Sequence, residues 1–247
     1  MKFLSTILLS FLFVACSSST GKFEEVPEGA EEAEDVVMEE KPAVCVWDKI
    51  SVREEPNSKA KWVTSISLGE SITFLGASAI DSTDKNREYI KVQLADGTEG
   101  WSLSDFIVID SEVAVFLDES SVYKRPDLLT KTEDVFKKFG IVAIANSEGD
   151  WLEVVGERAD GKWIQKGWVK GANLSKDAID VAVAKFAGQA LDKESDEEKT
   201  EALKEILENS DLLNSQFIDD INRILNEMSS AEEMDSMEEP DSVTVSE

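Results

Sequence analysis

The stretch "YIKVQLADGTEGW", residues 89–101, decides the fold. Ile90, Val92 and Leu94 alternate with Lys91 and Gln93, the period of a strand with one buried face. Asp96-Gly97 then interrupts the alternation with a strong hairpin signal, because glycine enters the left-handed turn region without a Cβ penalty. Gly100-Trp101 opens a second strand-like run, "GWSLSDFIVI", that ends at Ile109. Upstream, "AVCVW" (43–47), "ISVRE" (50–54) and "SITFLG" (71–76) are short, β-branched segments separated by turns. Residues 43–110 are therefore expected to form a small antiparallel β module.

The same order of segments recurs downstream. "ISVREEPN" (50–57) aligns with "SSVYKRPD" (120–127), "REYIKV" (87–92) with "GDWLEV" (149–154), and "GWSLSDFI" (100–107) with "GWVKGANL" (167–174). Val52 precedes Trp101 by 49 residues and Val122 precedes Trp168 by 46, so the spacing holds over a whole module. Residues 111–175 read as a divergent internal duplicate.

Taken together, an "xVRxxP" start, an apolar strand after an "LGE" turn, a "YxKVxLxDGxxGW" hairpin and a closing apolar strand resemble the bacterial SH3 (SH3b) family. The resemblance covers residues 43–109 and, less closely, 112–175. The second copy has Tyr123-Lys124 where the first has Arg53-Glu54, and a longer "VGERADGKWIQKGW" (155–168) in place of the compact hairpin. The resemblance implies two SH3-like small β-barrels of five to six strands. It also implies binding rather than catalysis, since many members recognise cell-wall peptides or short peptide segments. In such barrels the aromatics near these motifs often line the ligand groove, which nominates Tyr89 and Trp101 in the first copy and Trp151 and Trp168 in the second. Trp101 and Trp168 are equally readable as core. Arg53 is placed to pair with a ligand carboxylate through a charge-assisted hydrogen bond. With Tyr123 in its place, the second copy is expected to bind less well. Gly100 and Gly167 are expected to let the backbone leave the hairpin without a Cβ in the way.

The N-terminus carries a location signal. "MKFLSTILLSFLFVAC" has one positive charge, Lys2, and an apolar run to Ala15 that is short for a membrane span and shaped like a secretory signal peptide, residues 1–15. Phe13-Val14-Ala15-Cys16 resembles a bacterial lipobox, so Cys16 is the expected lipidation site. Acyl chains there would each contribute roughly 0.8 kcal/mol per buried methylene, and two or three together anchor firmly. Residues 16–42 are acidic, Ser- and Glu-rich and without period, the composition of a disordered tether. Cys45 is left without a partner and reads as a small apolar strand residue.

After Ser175 the period becomes helical. Ile179, Ala182, Val183, Phe186, Ala187 and Ala190 form one stripe. Ser195 with Glu198 forms a capping box ahead of Ala202, Leu203, Ile206 and Leu207. Phe217, Ile218, Ile221, Ile224, Leu225 and Met228 form a third stripe. Residues 176–228 are expected to be helical, packing on themselves or on the second barrel, with 229–247 a disordered acidic tail.

Charge and composition narrow the function. The chain of 247 residues has a net charge of −27, and residues 176–247 alone hold 21 acids against six bases. Nucleic acid is therefore not expected as a partner. The sequence contains no histidine, which removes the commonest general base and metal ligand. Acid pairs such as Glu54-Glu55 and Asp219-Asp220 follow from composition and show no metal-ligand spacing. No cofactor or metal is expected. The overall expectation is a mainly β, non-enzymatic lipoprotein of a bacterial cell envelope, held to the outer membrane or cell surface by lipid on Cys16. It would bind peptidoglycan stem peptides or a protein partner. The alternative is a structural or host-interacting surface lipoprotein whose acidic helical tail carries the interaction.

Overall fold

The computed structural model describes residues 39–237, so the signal peptide, Cys16, most of the tether and the last ten residues lie outside the described residues. The first sheet comprises β1 (Lys41–Cys45), β2 (Ile50–Arg53), β3 (Trp62–Ile66), β4 (Ser71–Asp81), β5 (Arg87–Gln93), β6 (Glu99–Leu103) and β7 (Ile107–Ile109). Its seven strands run β3-β2-β6-β5-β4-β1-β7. The β5–β6 hairpin closes through the Leu94 N–H donating to the Thr98 carbonyl at 2.9 Å, with Gly97 at φ +85°. The long strand β4 shifts register between Phe74 and Ser78, beside Gly76 at φ +74°. Such a bulge sharpens the twist that lets a sheet curl on itself. Val52, Ile66, Phe74, Ile90 and Val92 fill the interior.

The second sheet comprises β8 (Glu112–Phe116), β9 (Ser120–Tyr123), β10 (Lys131–Phe136), β11 (Ile141–Glu148), β12 (Trp151–Glu157), β13 (Ile164–Lys170) and β14 (Leu174–Ser175). Its order, β10-β9-β13-β12-β11-β8-β14, repeats that of the first sheet position by position. Phe116 and Phe136 stack at its centre with ring centroids 5.0 Å apart, among Val122, Val142, Val154 and Val169. Each sheet has seven strands rather than the expected five to six. A short closing strand folds back beyond a single 3-10 turn to pair with the first strand, β7 on β1 and β14 on β8. The first strand also begins at Lys41, two residues before the expected boundary.

Three strands, β1, β8 and β11, break the alternating pattern because both of their faces are buried. In β1, Ala43 and Cys45 enter the first core, while Val44 meets Ala143 of β11 in a separate cluster with Val46, which follows the strand. Val108, Val113, Val155 and Ile164 pack around that cluster, forming an apolar seam between the barrels. In β8, Ala114 and Phe116 enter the second core, while Val115 joins a cluster with the helices.

Those helices are α1 (Ala178–Leu191), α2 (Asp196–Glu208) and α3 (Ile218–Met237). The Asp177 side chain caps α1 by accepting from the Ile179 N–H, and the Ser195 hydroxyl caps α2 by accepting from the Glu198 N–H. Leu203, Ile206, Phe217 and Ile221 form the helical core, which closes over Val115 and Ile141 of the second barrel. In α1 the buried stripe is Val183, Ala184, Ala187 and Ala190, whereas Phe186, expected inward, is 44% exposed. Small alanines bring the helix backbone close to the sheet, and a phenylalanine on that face would hold it off. Helix α3 runs on to Met237, so residues 229–237, expected to be disordered, continue the helix.

Asp180 is buried at the junction of these parts. Its carboxylate accepts from Ser175 Oγ (2.6 Å), Ser215 Oγ (2.7 Å), the Gln216 N–H (2.8 Å) and Gln216 Nε2 (2.8 Å), tying β14, α1 and the α2–α3 loop together. Burial alone would raise its pKa, but the hydrogen bonds from Ser175, Ser215 and Gln216 outweigh that and hold the carboxyl below its usual range.

Candidate ligand-binding face

Strand β6 meets β2 at a single rung, Arg53 opposite Trp101. Gly100 makes that approach possible. A Cβ there would lie 2.4 Å from Val52 Cγ1 and 2.8 Å from the Arg53 carbonyl oxygen. The second barrel repeats the device at Gly167, whose Cβ would lie 2.3 Å from Val122 Cγ1, and there Tyr123 stands opposite Trp168. The glycine is thus needed within the strand, where two strands cross, and not at the exit from the hairpin. Each Gly-Trp step places an indole on the outer face at the crossing.

Residues directly opposite one another in an antiparallel ladder share a face. In the first barrel Trp62 stands opposite Arg53, Arg53 opposite Trp101, and Trp101 opposite Lys91. The result is a row, Trp62–Arg53–Trp101–Lys91, across β3, β2, β6 and β5. Trp62 is 58% exposed, and its Nε1 donates to Ser65 Oγ. Arg53 Nη1 donates to the Ala60 carbonyl at 2.7 Å, which turns the guanidinium toward the β2–β3 loop. Lys91 is shared with Glu99 at 2.9 Å. Trp101 and Arg53 are half-buried. Tyr89 lies diagonal to Trp101 on the same face but is only 2% exposed. Burial raises its phenol pKa, opposed by nearby Arg53 and reinforced by Asp81 and Asp84. Asp81 in turn accepts from Thr83 and from the Ser58 N–H, pinning the β2–β3 loop to the β4–β5 hairpin beside Tyr89.

The corresponding row of the second barrel is Lys131–Tyr123–Trp168–Glu153. Two of the positions that are cationic in the first barrel become Tyr123 and Glu153 here, and Glu153 is paired with Lys166 at 3.1 Å. Trp151, in the place of Tyr89, is 9% exposed. Tyr123 meets its ring edge-on at 4.9 Å, and Lys170 Nζ lies 4.2 Å from its centroid. The ring is therefore already engaged by the protein's own side chains, with Lys170 over one face and Tyr123 packed against it. Of the residues nominated from sequence, the fold brings Arg53, Tyr89 and Trp101 to one face of the first barrel and Trp151 and Trp168 to the equivalent face of the second. Cys16 lies outside the described residues. Trp62 was missed, because its strand was not recognised and its place beside Arg53 is set by register alone.

The family model for the bacterial SH3 domain matches residues 48–108. Residues 48–108 are a bacterial SH3 domain. The match takes in β2 to β6 and most of β7, and so every residue of the tryptophan row. The second barrel has the strand order of this bacterial SH3 domain but lies outside the matched residues. No curated protein matches the sequence. Among solved structures, the chain is similar to NlpC2 from Trichomonas vaginalis, at 10% identity and a TM-score of 0.23, covering 68% of this chain and 57% of that one. NlpC1 from Trichomonas vaginalis gives 10% and 0.23, covering 64% and 55%. An NlpC/P60 endopeptidase from Photobacterium damselae subsp. piscicida gives 12% and 0.25, covering 55% and 33%. The chain thus spans little more than half the length of the first of these, and scores this low carry nothing over to it.

Cys45 is 0% exposed, and burial pushes its thiol pKa up to about 11, so it stays protonated and unreactive at neutral pH. Among the described residues no cluster of acids and cysteine has the makings of a metal site.

Proposed function

We propose that this chain is a non-enzymatic binding protein of a bacterial envelope whose first barrel takes an anionic, peptide-like ligand on the Trp62–Arg53–Trp101–Lys91 row. The observation that carries this is the row itself: two tryptophans alternating with two cations on the surface of a chain whose net charge is −27. Aromatic faces supply contact area at little entropic cost, and Arg53 supplies a fork suited to a carboxylate. Stem peptides of peptidoglycan, with their free carboxylates, have that chemistry, as does an acidic segment of an envelope protein. The second barrel, with its aromatic face closed by Tyr123 and Lys170, serves as support for the first.

The test is cosedimentation of the protein with purified sacculi, alongside thermal unfolding. Trp101→Ala and Arg53→Ala are expected to lose binding, by roughly 2 kcal/mol or more if the indole is a hot spot, with the melting temperature little changed for Arg53→Ala. Retained binding in both variants would remove the first barrel's row from the function. Anchoring is read separately, since lipid on Cys16 is proposed to hold the protein at the membrane. Cys16→Ala should move it to the soluble fraction and abolish incorporation of labelled palmitate.

A further inference from the structure

A cleft of about 880 Å³ opens between the β1–β2 turn of the first barrel and helices α1 and α2. It shares no residue with the tryptophan row. Its floor includes buried Ile206, and Phe186 stands half-exposed at its edge, the side chain that α1 leaves out of the core. Asp48, Asp192, Glu198, Glu201 and Glu205 line it, against two lysines, Lys49 and Lys193. Glu198, Glu201 and Glu205 are spaced three and four residues apart and so form one stripe along α2. None of these five carboxylates pairs with a lysine or arginine among the described residues. An apolar floor under an unneutralised acidic rim is a specific combination, since each carboxylate gains from a cation that also brings apolar surface.

We infer that this cleft seats a basic segment of a protein partner, with lysine or arginine on the rim carboxylates and an apolar side chain against Phe186. Charge selects this occupant over the nearer ones. Residues 17–42 carry nine acids against two bases, residues 238–247 carry four acids and no base, and a second copy brings another −27. Each would meet the rim with like charge.

The experiment uses the full chain and a fluorescein-labelled peptide of alternating lysine and leucine, followed by anisotropy at low and physiological salt. The double variant Glu201→Lys/Glu205→Lys is expected to weaken binding at least roughly tenfold, and Phe186→Ser to weaken it as well. Asp118→Lys/Glu119→Lys makes the same change of net charge on an exposed turn of the second barrel and should leave affinity within about twofold. Equal losses in the two double variants would reduce the effect to diffuse attraction and overturn the inference. So would loss of peptide binding in Arg53→Ala, which would place the peptide on the tryptophan row. Concentration-dependent self-association abolished by Glu201→Lys/Glu205→Lys would assign the cleft to a second copy, and salt-sensitive hydrogen-exchange protection of α2 without added peptide would assign it to the chain's own ends. Retained sacculus binding in Glu201→Lys/Glu205→Lys keeps the two sites distinct whatever the peptide does.

Discussion

At the scale of single residues, Gly97 and Gly100 separate two uses of glycine within one hairpin. Gly97 sits at φ +85° with open space around it, so alanine there incurs only backbone strain, about 1 kcal/mol. Gly100 has no such φ, but its methyl would meet Val52 and the Arg53 carbonyl, and β2 would have to move off β6 at about 1–3 kcal/mol. Urea unfolding should therefore show Gly100→Ala to be the more destabilised variant, and its sacculus binding should fall because Arg53 moves relative to Trp101. Equal midpoints for the two variants would mean that the strands tolerate separation. The Gly-Trp steps were legible in the sequence. Their reason was not, because contact between β2 and β6 joins residues about 50 apart and leaves no local trace. Trp62 was lost in the same way.

Among the elements, those with a strong period were legible and the edges were not. The β5–β6 hairpin and the Ser195 cap of α2 stand where the alternation and the capping box put them. The edge strand β10 went unrecognised, since "KTEDVF" carries two acids and earns its place only as the partner of β9, and the other edge, β3 on β2, went unrecognised with it. Asp180, which ties three elements together, carried no signal in the sequence, where it is one of the 21 acids of residues 176–247. Because its pKa is depressed in the folded state, the stability it contributes is present above the unfolded value near pH 4 and is lost as pH falls through the folded value. Asp180→Asn should lower stability at pH 7 by about 2–4 kcal/mol, since an amide cannot accept from four donors and leaves hydroxyl and amide donors of Ser175, Ser215 and Gln216 buried without partners. The variant should also lose less stability than the parent between pH 4 and pH 2 in a denaturant series, in keeping with about one carboxylate removed. A parallel pH dependence for the two proteins would show that Asp180 is not the group being titrated.

For the molecule as a whole, the apolar seam is expected to make the two barrels unfold as one body. Val44, Val46 and Ala143 are all within 1% of full burial there, and α1 braces the same junction through Val181, which approaches Gly69 of the first barrel. Calorimetry of the intact protein should show one cooperative transition for both barrels. Ala143→Glu places an unpaired carboxylate in the seam, a change of about 3 kcal/mol or more. It should split the trace into two transitions, and a single shifted peak would show that the barrels are coupled through the helices instead. The duplication itself was visible in the spacing of Val52–Trp101 and Val122–Trp168. The seam was not recognisable as such, because a strand buried on both faces reads simply as a run of apolar residues.

Strand β1 is hydrogen-bonded on both sides, to β4 through Lys41–Val44 and to β7 through Ala43–Cys45, and it is the first strand of the described chain. A force applied along the axis of β1 would load both ladders in shear, so their rungs would share the load instead of peeling apart one at a time. Behind it, Val44 and Val46 lean on the second barrel, which must also give way before the strand slides. A protein held by its N-terminal end under flow or surface drag would keep its folded face presented, because the strand nearest that end is stitched in on both sides.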